Sequence, residues 1–354
     1  MSSGQEAASP VPPWWIYRGT GEQRAEDIAD LLPPPPPWRA FDGEPVLPVP
    51  PAKDADFARR LGRPGPVPMR SDPQQVELIN AAICLRRPLL VTGAPGTGKS
   101  SLAYRIAQEL RLGPVLYWPI STRSSLGNGL YEYDAIGRVQ AASALAAVRD
   151  RDRDPASAAD VGDFVRLGPL GTALLAYEKP RVLLIDELDK SDIDLPNDLL
   201  AVLEEGEYFI PELARLASRT PEVRVFTHDL GESAVVRSGV VRCRAFPIIV
   251  ITSNGERQFP PAFLRRCIRL DLPNPDVEQL AGIVAAHLPR GVGTAAAELI
   301  EAFAERSAAA EPGLPVDQLL NALYLVTSGN YDAHDESWPR LVDALWRQLS
   351  APVD

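Results

Sequence analysis

Cysteine, histidine and methionine are scarce in this 354-residue chain, at three, three and two. The cysteines, Cys84, Cys243 and Cys267, share no C-x-x-C spacing, so neither a zinc site nor a disulfide framework follows from them. His228, His287 and His334 are far apart in sequence, and core or surface roles are expected for them. Positive charge is also in short supply. With 36 basic against 47 acidic residues the net charge is -11, which disfavours nonspecific attraction to nucleic acid unless a local basic patch is built. No apolar run approaches the roughly 18 to 20 residues of a membrane span, and no signal-peptide pattern is present, so a soluble, cytoplasmic chain without membrane insertion is expected.

What the chain does have is a hydrophobic content of 45%, enough for a large core domain and a smaller one. Its clearest motif is G-x-x-x-x-G-K-S from Gly93 to Ser100, preceded by the apolar run Pro88 to Val91. In such a loop Gly93, Gly96 and Gly98 let the backbone turn tightly with its N–H groups aimed at a phosphate chain. Lys99 would reach the β and γ phosphates of ATP, and Ser100 would offer its hydroxyl to Mg²⁺. Ala94, Pro95, Thr97 and Ser101 complete the expected nucleotide-binding stretch. The competing reading is a glycine-rich turn without a ligand. Against it, a helix over Ser101 to Leu110 is legible after the loop, with Leu102, Ile106 and Leu110 on one face.

Val182 to Ile185 reads as a buried strand that ends in two carboxylates, Asp186 and Glu187. They suit a division of labour in which Asp186 holds the Mg²⁺ shell and Glu187 acts as general base on the attacking water. Alternatively, Asp186, Glu187 and Asp189 simply favour a helix N-terminus. A further apolar strand, Phe246 to Thr252, leads to Ser253 and Asn254, whose amide could orient that water. Asn254 followed by Gly255 also fits an ordinary turn. Arg265 and Arg266 close a short helix and are followed by the strand Ile268 to Leu272. A neighbouring subunit could use such an arginine on a transferring phosphoryl group, and a solvated basic turn is equally compatible.

In this order the elements resemble an AAA+ ATPase. More narrowly, Leu167-Gly-Pro-Leu170, Asp186-Glu-Leu-Asp-Lys190 and Leu203-Glu-Glu-Gly-Glu207 resemble the MoxR group. The resemblance runs from about Ser71 to the C-terminus. It implies an α/β P-loop NTPase core with a five-stranded parallel sheet, a helical lid, assembly into a homo-oligomeric, hexameric ring, and ATP-driven remodelling of a protein substrate. It further implies a von Willebrand factor A domain protein as partner, in a bacterial multi-gene system. The family pattern favours Arg266 over Arg265 as the arginine acting in trans. Many relatives carry a sensing arginine at the start of a late lid helix; here Asp317 stands in its place, and an acid cannot donate to a phosphate. The rival readings are a nucleotide-gated scaffold that does no mechanical work and, disfavoured by charge, a nucleic-acid motor.

Three regions follow along the chain: an arm over 1–68, a large ATPase domain over 69–275 and an all-helical lid over 276–354. The arm is proline-laden, with Pro33 to Pro37 expected as extended polyproline II and Trp14, Trp15, Tyr17 and Trp38 around it. So many large aromatics point to docking on the core, a neighbouring subunit or a partner. Core strands are expected at Leu89 to Thr92, Val115 to Ile120, Val182 to Asp186, Ile248 to Thr252 and Ile268 to Leu272. Two connections are too long for plain crossovers. The first holds Tyr131 to Asp134, an alanine-rich helix through Val148 and the charge run Arg149 to Asp154; its Leu126, Leu130 and Tyr131 either grip substrate or pack the insertion itself. The second, Glu204 to Ala245, reads as a β-hairpin insertion, with the alternating Arg237 to Arg244 stretch as a two-faced ribbon.

Overall fold

The computed structural model describes residues 11–63, 72–147, 161–288, 294–309, 313–328 and 337–346. The Arg149 to Asp154 run and His334 lie outside them. Its strands in chain order are β1 (Leu89–Thr92), β2 (Leu116–Pro119), β3 (Tyr131–Tyr133), β4 (Val165–Leu167), β5 (Val182–Asp186), β6 (Glu207–Phe209), β7 (Glu222–Phe226), β8 (Ser233–Arg237), β9 (Val240–Arg242), β10 (Ile248–Ser253) and β11 (Ile268–Asp271). Five of these make the central sheet, in the order β11-β1-β10-β5-β2, with every pairing parallel. They occupy the places that the apolar runs predict. Leu183, Leu184, Ile249, Val250 and Ile251 are all buried, as strands covered on both faces must be. One face packs against the Pro73–Leu85 and Lys99–Glu109 helices, and the other against the inserted layer.

The register aligns the carboxyl ends of the central strands. Thr92 pairs with both Ser253 and Asp271, and Pro119 pairs with Asp186. Each loop leaving these ends therefore opens on the same edge, where ligands of parallel sheets bind.

The two long connections, separate in sequence, meet in one six-stranded sheet of order β3-β4-β7-β8-β9-β6. The alternating Arg237 to Arg244 stretch is not one continuous ribbon. A two-residue turn at Ser238 and Gly239, both at positive φ (51° and 72°), divides it between β8 and β9. Leu130 is buried and Leu126 is partly buried against the same core, while the Tyr131 hydroxyl donates to Glu212 Oε2 at 2.9 Å. Of the two readings offered by sequence for this insertion, packing is the one these side chains follow.

After β11, Asp276 and Gln279 form a reciprocal cap. Asp276 Oδ1 accepts from the Gln279 N–H at 2.8 Å, and Gln279 Oε1 accepts from the Asp276 N–H at 3.2 Å. The helices Val277–His287, Thr294–Ala308, Val316–Thr327 and Trp338–Leu345 follow, around a core that includes Leu280, Phe303, Leu319, Leu323 and Trp346.

Residues 11–63 lie against the core, and of the aromatics that composition singles out Tyr17 is buried and Trp15 packs partly buried against it, while Trp14 and Trp38 do not. Trp14 and Trp38 stay 42% and 76% exposed, whereas Ile16, Tyr17, Ile28 and Phe57 are buried. Polar groups complete the docking. Asn80, fully buried, accepts from the N–H groups of Ile16 and Tyr17 and donates to the Tyr17 carbonyl. Buried Glu109 accepts from the N–H groups of Arg18 and Thr20. The proline run is exposed at Pro33, Pro34, Pro35 and Pro37, and Pro37 opens a single 3₁₀ turn through Arg39 instead of continuing the extended run. Farther on, Gly43 N–H donates to the Cys243 carbonyl and Leu47 N–H to the Ala176 carbonyl, carrying the arm onto the inserted layer.

Candidate functional site

Gly93, Gly96 and Gly98 all take positive φ, at 146°, 82° and 86°. Such angles suit glycine, and at Gly96 space also matters, since a Cβ would lie 2.4 Å from Pro315 Cα at the start of the Val316–Thr327 helix. The loop thus turns beneath the lid and delivers Lys99 and Ser100 to the first turn of the Lys99–Glu109 helix. Lys99 is buried, and its Nζ donates to the carbonyls of Gly93 and Ala94, both at 2.7 Å. Burial pulls its pKa below the usual lysine value, opposed by the nearby carboxylates of Asp189, Asp186 and Glu187.

Asp186, at the end of β5, collects three hydroxyls. Ser100 Oγ donates to its Oδ1 at 2.6 Å, Thr252 Oγ1 to the same oxygen at 2.7 Å, and the Tyr117 hydroxyl to Oδ2 at 3.3 Å. Thr252 Oγ1 also accepts from the Glu187 N–H at 2.8 Å, so one fully buried hydroxyl joins β10 to the acidic pair. Glu187 sits in the left-handed region at φ 62°, which turns the chain sharply after β5. Its carboxylate meets Lys190 Nζ at 2.7 Å and Asn254 Nδ2 at 3.2 Å. Asn254 is in turn held by its main chain. Asp189 Oδ2 accepts from the N–H groups of Asn254 and Glu256, at 2.9 Å and 3.0 Å.

Lys99, Ser100, Asp186, Glu187, Thr252 and Asn254 line one cleft of ≈ 410 Å³ at the sheet's carboxyl edge, with Pro95, Gly96, Gly98 and Ser101 on the loop side and Val316, Asp317 and Leu320 opposite. A second hollow beside it is lined by Ile79, Thr97, Leu102, Arg105 and Leu272. The donor set fits a phosphate chain with Mg²⁺. Glycine-rich backbone, a lysine and a hydroxyl paired with a carboxylate are what that ion asks for, since it keeps most of its water. Arg105 lines both spaces, and its buried Nε has no hydrogen-bond partner among the described residues, as if an anion were wanted there.

Arg265 and Arg266 are not brought into the cleft. Arg266 is 41% exposed, paired with Glu204, and its carbonyl accepts from Arg87 Nε at 3.0 Å. Sequence reasoning missed Thr252 and Tyr117, which look like ordinary strand residues, and took Asp189 only as a helix-terminus acid. Arg105 did leave a signal. It stands four residues after Ser101, on the same helix face.

No curated protein matches this chain detectably in sequence. Among solved structures, NtrX from Brucella abortus is 16% identical, with a TM-score of 0.37 over 80% of this chain and 55% of that one. An ADP complex of the same protein is 15% identical, with a TM-score of 0.37 over 74% and 50%. A RuvB variant from Thermotoga maritima is 16% identical, with a TM-score of 0.37 over 77% and 67%. This chain spans about half the length of the NtrX structures it matches, and likeness of that degree carries nothing about ligands or partners. A family model, the AAA domain of the dynein-related subfamily, matches residues 88–267, just over half of the chain and four of the five central strands, stopping short of β11. The phosphate-binding loop, the acidic strand end and the parallel sheet that holds them are thus those of an α/β P-loop NTPase, and the chain belongs to the AAA domain family, dynein-related subfamily.

Proposed function

We propose that this chain is a MoxR-like ATPase that hydrolyses ATP at a Mg²⁺-dependent site, assembles into a hexameric ring, and remodels or regulates a protein partner such as a von Willebrand factor A domain protein. The observation that carries the reading is the convergence of Lys99, Ser100, Asp186, Glu187 and Asn254 on one cleft, although they come from three separate strand ends. Ser100 and Asp186 would hold Mg²⁺, which when bound offsets phosphate charge. The loop from Gly93 to Gly98, with Lys99 and Ser101, would bind the phosphates.

Glu187 would take a proton from water, a role supported by its carboxylate at the cleft and by Asn254 Nδ2, which steadies one oxygen. Lys190, which grips the other oxygen, would have to let go or move with it. Arg266, with Arg265 as the alternate, stands outside the cleft and half exposed, a position suited to a neighbouring subunit's phosphates. In this reading 1–68 is an arm, 69–275 the ATPase domain and 276–354 the lid. The test is to purify the Glu187→Gln protein with ATP, measure its mass in solution and identify what co-purifies. An ATP-bound oligomer that does not turn over is expected. Turnover at the wild-type rate would remove Glu187 as the base, and a monomer at every concentration would remove the ring.

A further inference from the structure

The cleft carries cations that its sequence motifs do not supply. One of them, Arg60, comes from the arm helix Asp54–Leu61 and lines the cleft beside Lys99 and Ser100. Its guanidinium carbon lies 5.4 Å from the Tyr104 ring centroid and 5.3 Å from that of Tyr117. Seated on two rings and hydrogen-bonded to Tyr104, a planar guanidinium is held in orientation, and with five donors it keeps others for an acceptor. Among the described residues no carboxylate lies within ion-pair distance of it.

The same segment is fastened to the lid. Gly62, at φ 75°, approaches Ala286 so closely that a Cβ would come 2.6 Å from its carbonyl, and the Arg63 N–H donates to the Ala286 oxygen at 2.8 Å. Ala286 belongs to the lid helix Val277–His287, whose Ile283 and His287 also line the cleft. Beside His287, the charged group that this part of the chain brings to the cleft is an acid, Asp317. Arg60 also sits at a definite end of the site. Tyr117, on which it stacks, reaches Asp186 with its hydroxyl, and Asp186 holds Ser100, whereas none of these lines the second hollow, that of Ile79, Arg105 and Leu272.

We propose that Arg60 is a nucleotide-binding residue that donates to the terminal phosphate of ATP. Through Gly62 and Arg63, the arm thereby ties the lid to the presence of that phosphate, in place of a lid cation. The inference rests on the reading of the cleft as an ATP site. Its test is calorimetric titration of the full-length Arg60→Met protein with ATP and with ADP, both with Mg²⁺; methionine keeps an apolar chain over the two tyrosines and removes the charge. Loss of a charge-assisted bond predicts an ATP Kd raised on the order of 10- to 100-fold, and an ADP Kd raised less than about 3-fold.

Equal weakening of both nucleotides, or no weakening of either, overturns the assignment. Should Arg60→Met destabilise the arm, Arg60→Lys retains the charge and should keep most of the preference for ATP over ADP; equal Kd shifts for the two nucleotides in that variant also count against the proposal. A Lys99→Ala control separates the two levels. If it binds ATP as the wild type does, the cleft is not the nucleotide site and the underlying reading fails. If it loses ATP while Arg60→Met does not, only the role of Arg60 fails.

Discussion

Replacing Asn80 with alanine should loosen the arm from the core around Ile16 and Tyr17 while the central sheet stays folded. Asn80 Oδ1 accepts from the Ile16 N–H at 2.7 Å and the Tyr17 N–H at 2.9 Å, and its Nδ2 donates to the Tyr17 carbonyl at 2.7 Å. Alanine leaves those two donors and one acceptor without partners, in a place where Ile16, Tyr17 and position 80 are all buried. A buried polar group left unpaired costs about 1 to 3 kcal/mol, so even at the low end the docked arm loses about 3 kcal/mol. The remaining anchors, the Glu109 carboxylate and the side chains of Ile28 and Phe57, are untouched and keep the arm from detaching along its whole length.

Hydrogen exchange followed by mass spectrometry on peptides covering 11–24 reads this directly. A 3 kcal/mol loss of local stability corresponds to a fall of roughly 100-fold in protection at Ile16 and Tyr17, with β1 and β10 unchanged. Asn80→Asp, which keeps an acceptor oxygen for both N–H groups and loses the amide donor, should fall between alanine and wild type. Unchanged protection over 11–24 in Asn80→Ala would refute the reasoning. So would equal loss across arm and sheet, because the two would then unfold as one unit.

Three further outcomes are expected. Arg266→Ala should lower turnover about 1,000-fold or more while sparing ATP affinity, and the wild-type specific rate should rise with protein concentration; a rate independent of concentration removes the shared site. Asp229→Ala strands the fully buried Arg181, whose Nη1 and Nη2 lie 2.8 Å and 3.0 Å from that carboxylate, and should destabilise the fold by about 3 to 5 kcal/mol in denaturant melts. A loss below about 1 kcal/mol would mean that water replaces the carboxylate. Burial pushes the thiols of Cys243 and Cys267 up to about 12, leaving on the order of one part in 10,000 as thiolate at pH 8. A thiol reagent should therefore modify the half-buried Cys84 first in the native protein, and rapid native labelling of Cys243 would show that its pocket opens.

The nucleotide loop, the acidic pair and Asn254 were legible because each is announced locally, by a glycine pattern or by a polar tip on a buried strand. The five strands were legible for a related reason, since parallel strands covered on both faces read as unbroken apolar runs. Thr252, Tyr117 and Asp189 gave no such signal. Their roles exist only across strands, where the Thr252 hydroxyl joins Asp186 to the Glu187 amide and Asp189 pins the Asn254 backbone. Aromatic content suggested that the arm docks, and Tyr17 and Trp15 do pack against the core while Trp14 and Trp38 stay exposed. Its anchors are main-chain groups 16–20, bound by two buried side chains of the core helices, and no composition reports which amides find partners.

By itself the sequence determined the family, the strand positions and the chemistry of the loop, because these depend on residues near one another in the chain. Tertiary structure alone decided that two distant insertions share one sheet, that Arg265 and Arg266 stay outside the cleft, and that Arg60 enters it. Those arrangements depend on where the chain returns after long separations. Local periodicity cannot encode such returns; they follow from pairing, burial and hydrogen-bond satisfaction summed over the whole fold.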